Sequence, residues 1–99
     1  MATYNVAKID TAVMEQLTPS QMANAGQVRS FYKELKTAIA QADKMMKISE
    51  SPGTTYFVWM ESAGRFGGIF WRRTGGQQPI LGSMAKEQGE VKDEQLNLF

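Results

Sequence analysis

The sequence predicts an α+β fold in which a short helix and a long amphipathic helix pack on a three-stranded antiparallel sheet. Two observations carry this prediction. Between Gln27 and Lys47, apolar residues recur at steps of three and four, which is the spacing of one face of an α-helix. After Gly53, the composition changes to β-branched and aromatic residues, which favour strands. We therefore expect helices in the first half of the chain and strands in the second.

The residues before the long helix predict its neighbouring elements with unequal precision: a lead-in of undecided structure, a short helix, a helix start and a break. The lead-in MATYNVAKI has no clear period and is consistent with either a short strand or an irregular segment. The next segment, TAVMEQL, has the apolar spacing of a short helix. Thr18, Pro19 and Gln21 then have the residue types of a capping box with proline at the first helical position. Gly26 should mark a kink or a break before the long helix.

Three strands should follow the long helix, which Pro52 and Gly53 are expected to end. TTYFVWME and GIFWRRT have the composition of strands, and SAGRFG between them suits a hairpin loop. TGGQ predicts a tight turn into a third strand, QPIL, where Pro79 indicates a sheet edge. Both faces of the first strand carry aromatic residues, although a small antiparallel sheet needs only one apolar face. The second face therefore requires an explanation.

The charge distribution divides the chain into a body and a tail. The 99 residues carry a formal net charge of +1. Residues 1–84 hold nine Lys/Arg and six Asp/Glu (net +3), and residues 85–99 hold two and four (net −2). We predict one α+β domain over 1–84, a charged flexible tether over 85–94 and a separate peptide over 95–99. The start has no apolar signal-peptide core, which predicts a cytoplasmic protein without membrane contact.

The residue inventory predicts a protein without catalytic activity. The chain has neither cysteine nor histidine, so the usual zinc ligand sets are missing and nucleophilic catalysis would require a Ser/Thr with a Lys, or a pair of carboxylates. The glycine pairs lack the Lys-Ser/Thr of a phosphate-binding loop and are predicted to be turns. We therefore expect no catalytic residue, metal or cofactor. The acidic residues before the tail share no motif spacing; they are Asp10, Glu15, Glu34, Asp43, Glu50 and Glu61.

Aromatic and basic residues alternate in the predicted hairpin. Rings on an open sheet face beside guanidinium groups could stack nucleic-acid bases while phosphates are neutralised. This pattern predicts a surface for single-stranded or duplex DNA. The alternative is that the rings form the core and the arginines lie at its solvated rim. The candidate nucleic-acid-binding residues are Trp59, Arg65, Phe66, Phe70, Trp71, Arg72 and Arg73.

The segment QLNLF resembles the pentapeptide by which bacterial DNA polymerases, mismatch-repair proteins and other replication factors bind the β sliding clamp. The resemblance implies that Gln95 anchors the peptide through its side-chain amide and that Leu96 takes the second position. It also implies that Leu98 and Phe99 fill the hydrophobic pocket of the clamp. Asn97 departs from the more common Ser or Asp at the most permissive position. The resemblance covers five residues and implies nothing about the body.

Three functions are consistent with these observations. The first is a small bacterial, phage or plasmid replication-associated protein that binds the clamp, as a recruited accessory factor or as a competitor. The second is a single-stranded nucleic-acid-binding domain. The third is a non-catalytic interaction protein, monomeric or a small homo-oligomer, with an aromatic face as its interface. For the tail, the alternative is an edge strand or cap on the core, because its apolar residues alternate with polar ones.

Overall fold

A computed structural model describes residues 2–48 and 50–81, which form a five-stranded antiparallel sheet with helices on both faces. The spatial order of the strands is β2-β1-β3-β4-β5, so β2 and β5 form the edges and β1 lies inside. The elements in chain order are β1 (Ala2–Asp10), α1 (Thr11–Met14), α2 (Pro19–Ala25), β2 (Gln27–Tyr32), α3 (Leu35–Ile48), β3 (Thr54–Ser62), β4 (Arg65–Thr74) and β5 (Ile80–Leu81).

The predicted three-stranded sheet is wrong, although the broad combination of helices with an antiparallel sheet agrees with the structure. Two further strands, β1 and β2, precede α3, and β1 pairs with β3 along its whole length. The lead-in MATYNVAKI shows no period because β1 is buried on both faces: the neighbours Val6 and Ala7 are both 0% exposed. A strand covered on both sides loses the alternation of apolar and polar residues that identifies a half-buried strand.

The long helix begins at Leu35 rather than at Gln27, because residues 27–32 form β2. The helical spacing of Val28 and Phe31 has another cause. The register of β2 against β1 shifts at Arg29, which has no partner in β1. This bulge places Val28 and Phe31 on the same face of the sheet, three positions apart, where regular alternation would separate them.

Helices on both sides explain why both faces of β3 carry aromatic residues. We call the two sides the α3 face and the α1–α2 face. On the α3 face, the buried cluster contains Leu35, Ala38, Ala42 and Met46 of the helix, packed on Val6, Tyr56, Val58 and Trp71 of the sheet. On the α1–α2 face, the buried cluster contains Met14 and Met22, packed on Ala7, Ile9, Phe57 and Ile69.

The start and end of α2 agree with the sequence. Gln21 N donates to Thr18 Oγ1 at 3.3 Å, and Thr18 N donates to Gln21 Oε1 at 2.9 Å, which completes the capping box before Pro19. Gly26 ends the helix. A Cβ at Gly26 would lie 2.6 Å from Phe57 Cζ, so glycine is needed where the chain crosses this core ring.

The β3–β4 hairpin is tighter than predicted, and β4 is irregular. Its loop consists of Ala63 and Gly64, both with positive φ (54° and 75°), as in a type I′ turn. The pair Gly67–Gly68 lies inside β4 where the register with β3 shifts, so the prediction of a turn there is wrong. Gly75–Gly76 does form the turn after β4. The short strand β5 follows Pro79 and lies at the sheet edge, as predicted.

Candidate functional site

The seven candidate nucleic-acid-binding residues of the hairpin do not form one surface. Between Val58 and Trp59 the register of β3 against β4 shifts, and Phe70 is the extra residue. This bulge places Phe70 on the same side as Trp71. The α3 face receives Phe70, Trp71 and Arg73; the α1–α2 face receives Trp59, Phe66 and Arg72; Arg65 lies at the hairpin.

Trp71 and Phe70 belong to the core on the α3 face. Trp71 is 3% exposed, and its cluster includes Val58 and the buried face of α3. Phe70 is half-buried and packs edge-on against Tyr4, with ring centroids 6.2 Å apart. Trp71 therefore cannot stack on a base while the domain is folded, and the alternative of a core role is correct for this residue.

Arg73 is engaged in a charged network that joins β4 to α3. Arg73 Nη1 lies 2.7 Å from Asp43 Oδ1, and Arg73 Nη2 lies 4.0 Å from Glu50 Oε2. Arg73 Nε also donates to the Gln77 carbonyl at 3.0 Å, and Lys47 Nζ lies 3.1 Å from the other oxygen of Asp43. These contacts hold the guanidinium within the domain and give Arg73 a structural role, which disfavours its predicted role in phosphate binding.

The pKa of Asp43 links this network to acid stability. Partial burial raises the pKa of Asp43, but the hydrogen bonds and charges of Lys47 and Arg73 outweigh burial and hold it below its ordinary value of 3.8. Because the folded pKa is the lower one, the stabilisation is complete above roughly pH 4 and is lost as pH falls through the folded pKa.

Replacement of Asp43 by Asn should therefore lower the free energy of unfolding at neutral pH by about 1 kcal/mol, the upper part of the range for solvent-accessible ion pairs, because Asp43 and Arg73 are partly buried. In this variant, the free energy of unfolding should also decrease less between neutral pH and roughly pH 3 than it does in the unmodified protein. Urea unfolding at both pH values measures this effect. Glu15→Gln serves as the control, because Glu15 has no ion pair within the described residues. An unchanged acid response in Asp43→Asn would contradict the assignment.

Arg72 is half-buried against α1 and has few polar contacts. Its Nη1 lies 3.8 Å from Met14 Sδ, and its buried Nε has no acceptor within the described residues. It lines a small cavity of about 190 Å³ with Glu15, Gln77 and Gln78. Arg72 is therefore separated from the aromatic candidates and does not extend a surface with them.

The structure does bring three aromatic side chains together on the open part of the α1–α2 face. We call Phe31, Trp59 and Phe66 the aromatic strip. Trp59 and Phe66 are half-buried and packed together, with ring centroids 5.9 Å apart. Phe31 is 69% exposed on the same face, and Asn5 is the β1 partner of both Phe31 and Trp59. The strip lies towards the β3–β4 hairpin, away from the ends of β1 and β3 that contact α1.

Phe31 is not among the candidates that the sequence indicates. The helical spacing of residues 27–47 predicts that it lies on the apolar face of the long helix. The signal that could have found it is the composition of QVRSFY, which is rich in β-branched and aromatic residues immediately after Gly26. In the structure Phe31 is the most exposed aromatic residue among the described ones, beside the 46%-exposed Val28.

One acid lies on the same face as the aromatic strip, whereas the nearby cations lie on the α3 face. Glu61 is half-buried, and its Oε1 accepts from Asn5 Nδ2 at 3.5 Å. Arg29 and Lys33 line cavities with Tyr56 and Tyr4 of the α3 face, and Arg65 pairs with Ser62 on that face. The strip is thus a mainly apolar surface with one carboxylate.

The described part of the chain holds neither a cluster of metal ligands nor a membrane-spanning helix. No group of three or more Asp or Glu residues there is placed to hold a metal ion. No helix among these residues has the length and apolar character needed to cross a membrane.

Comparison with known proteins gives no family for this chain. No protein-family model, curated protein or solved structure matches it. Function is therefore inferred from its own residues. The predicted tether (85–94) and the clamp-binding candidates Gln95, Leu96, Leu98 and Phe99 lie outside the described residues.

Proposed function

We propose that this protein binds the bacterial β sliding clamp through the segment QLNLF and acts as a non-catalytic protein at sites of DNA replication. The observation that carries the proposal is the sequence of that segment: Gln95, Leu96, Leu98 and Phe99 stand at the four specified positions of the clamp-binding pentapeptide. At average amino-acid usage, four specified residues match by chance about once in 10^4 to 10^5 positions. A chain of 99 residues offers few such positions.

The chemistry of the segment supports a peptide contact of modest affinity. Burial of Leu98 and Phe99 in an apolar pocket would contribute about 1.5–3 kcal/mol each before the cost of ordering the peptide. The sum is compatible with a dissociation constant in the micromolar range. The preceding residues 85–94 are charged and lack an apolar stripe, as expected of a tether that lets the peptide reach a pocket without strain.

The organisation of the body is compatible with a peptide that acts separately. In the described residues, α3 covers one face of the sheet and α1 with α2 covers the centre of the other. Residues before 82 therefore cover the centre of both faces of the sheet. Residues 82–94 could span about 40 Å when extended, which exceeds the 31 Å longest dimension of the structure. The peptide could thus reach a partner beyond the body.

The test is binding of a labelled peptide of residues 85–99 to purified bacterial clamp, measured by fluorescence anisotropy. We expect a micromolar-class Kd and a loss of at least about 100-fold when Leu98 and Phe99 are both replaced by Ala. Asn97→Ala is the matched control, because position 97 is the permissive one and its affinity should be retained. The full-length protein is titrated in parallel. If neither the peptide nor the protein binds the clamp, the proposal is wrong.

A further inference from the structure

We propose that the edge strand β2 pairs antiparallel with β2 of a second copy of this chain, so that two sheets join into one across a two-fold axis. The inference goes beyond the proposed function, because it concerns the body and does not involve residues 95–99. It assigns an occupant to the uncovered surface around Phe31, which is 69% exposed.

The two edges of the sheet differ in their protection against another chain. An edge strand presents a row of unpaired N–H and C=O groups, and proteins commonly shield it by shortness, proline or lysine. At one edge, β5 has two residues and follows Pro79. At the other, β2 has six residues, none of them proline, glycine or lysine, and no strand of the described residues pairs with its outer side. The edge at β2 is therefore the one that can accept a further strand.

The side chains of β2 on the α1–α2 face are also uncovered. Val28 and Phe31 are both exposed there, because α1 and α2 pack mainly on β1, β3 and β4. A strand that pairs with β2 would satisfy backbone groups and remove these apolar side chains from water in the same contact. The edge thus offers backbone and apolar interactions together.

The sequence of β2 is complementary to itself about the point between Arg29 and Ser30. An antiparallel pair centred there places Val28 of each copy opposite Phe31 of the other. Pairs of a β-branched and an aromatic side chain are favourable in antiparallel sheets. The same register places each Arg29 opposite a serine, so no like charges are directly opposed. This complementarity favours a second copy over an unrelated strand.

The bulge in β2 makes this register compatible with the geometry of a sheet. In a regular strand, residues three positions apart point to opposite faces and direct their backbone groups to opposite edges. Val28 and Phe31 instead pair with Ala7 and Asn5, which are two positions apart in β1, so they share both a face and a hydrogen-bonding direction. The two pairs across the axis would therefore lie on one face and have the same hydrogen-bonding type.

The size and the charge of the contact predict a weak dimer. A ladder of six residues on each copy is about 20 Å long, which places the interface at the small end of specific contacts. The unfavourable feature is Arg29, because the axis brings the two copies of this side chain near each other and neither has an ion pair within the described residues. Salt that screens this repulsion should strengthen the dimer.

The test is analytical ultracentrifugation of the full-length protein over a concentration series at low and high salt. We expect a reversible monomer–dimer equilibrium with a Kd in the micromolar range, tighter at high salt. Val28→Lys should weaken the dimer by at least about tenfold, because lysine at an edge opposes pairing. Leu81→Lys at the opposite edge is the matched control and should leave the dimer unchanged, since Leu81 is 39% exposed against 46% for Val28. Circular dichroism verifies the fold of both variants.

A cross-linking experiment tests the register. The chain has no cysteine, so Val28→Cys and Phe31→Cys each introduce a single thiol. A mixture of the two variants should form a covalent heterodimer under oxidising conditions, because the two thiols would lie on directly opposed residues. Either variant alone should form much less covalent dimer, because its two thiols would be three positions out of register.

Four results would overturn the inference. They are a monomer at every concentration, a dimer weakened by salt, a loss in Leu81→Lys as large as that in Val28→Lys, and no preference for the heterodimer in the cross-linked mixture. If Val28→Lys does not fold, the cross-linking result decides. Clamp binding by the peptide of residues 85–99 does not depend on β2, so the two proposals fail separately.

Discussion

Replacement of Trp71 by alanine should lower the free energy of unfolding by about 3–5 kcal/mol, the usual cost of removing a large buried aromatic side chain. Trp71 is 3% exposed and packs between Val58 of the sheet and the buried face of α3. A domain of this size has a total stability on the order of 5–10 kcal/mol, so the variant should be close to unfolding. Urea titration followed by far-UV circular dichroism measures the difference.

Trp59→Ala is the matched comparison for this prediction, because Trp59 has the same side chain and a neighbouring position in the sheet. Trp59 is only half-buried and packs on Phe66 and the edge of the buried cluster on the α1–α2 face, so its loss should cost less, about 1–2 kcal/mol. The reverse order of the two effects would contradict the placement of these residues.

Features specified by a few adjacent residues could be predicted from the sequence. Thr18, Pro19 and Gln21 define the start of α2 within one turn, and the observed hydrogen bonds are those that the residue types predict. The hairpin after Ser62 and the edge position of β5 after Pro79 were predicted for the same reason. Turn and cap chemistry acts over a few residues, so it does not depend on the rest of the fold.

Features that depend on distant partners could not be predicted. Whether QVRSFY forms a strand is decided by its pairing with β1, whose partner residues lie 19 (Lys8 with Gln27) to 28 (Tyr4 with Tyr32) positions earlier in the chain. Tertiary pairing commonly overrides the local preference of a short segment. Apolar residues keep helical spacing from Val28 into α3, although residues 27–32 form β2. The bulge at Arg29 is the cause, because it places Val28 and Phe31 on one face of the strand, three positions apart.

For a related reason, the sequence could not predict which candidate residues of β4 share a face of the sheet. Alternation along β4 pairs Trp71 with Arg73 on one face and Phe70 with Arg72 on the other. The bulge in the structure adds Phe70 to the α3 face with Trp71 and Arg73, and only Arg72 remains opposite. One extra residue in a strand changes the face of every residue beyond it, and no local signal marks Phe70 as that residue.

The second large effect is expected at Gly75, where the turn after β4 meets the connection between α3 and β3. A Cβ at Gly75 would overlap the carbonyl of Ser51 and lie 2.6 Å from its nitrogen, and all these atoms belong to the backbone. Gly75 N also donates to the Thr54 carbonyl at 3.1 Å, which limits how far the turn can move. Gly75→Ala should therefore cost about 3 kcal/mol, the upper part of the range for overpacking.

The matched control for this change is Gly53→Ala in the facing connection. The nearest atom to a Cβ at Gly53 is Ser51 Oγ at 3.9 Å, an ordinary contact, so the cost should stay below about 1 kcal/mol. Both variants add one methyl group to the same pair of loops, and neither glycine has a positive φ. A large difference in urea midpoint would thus measure the close approach of the two backbones. Equal effects would mean that glycine at position 75 contributes chain flexibility instead of this contact.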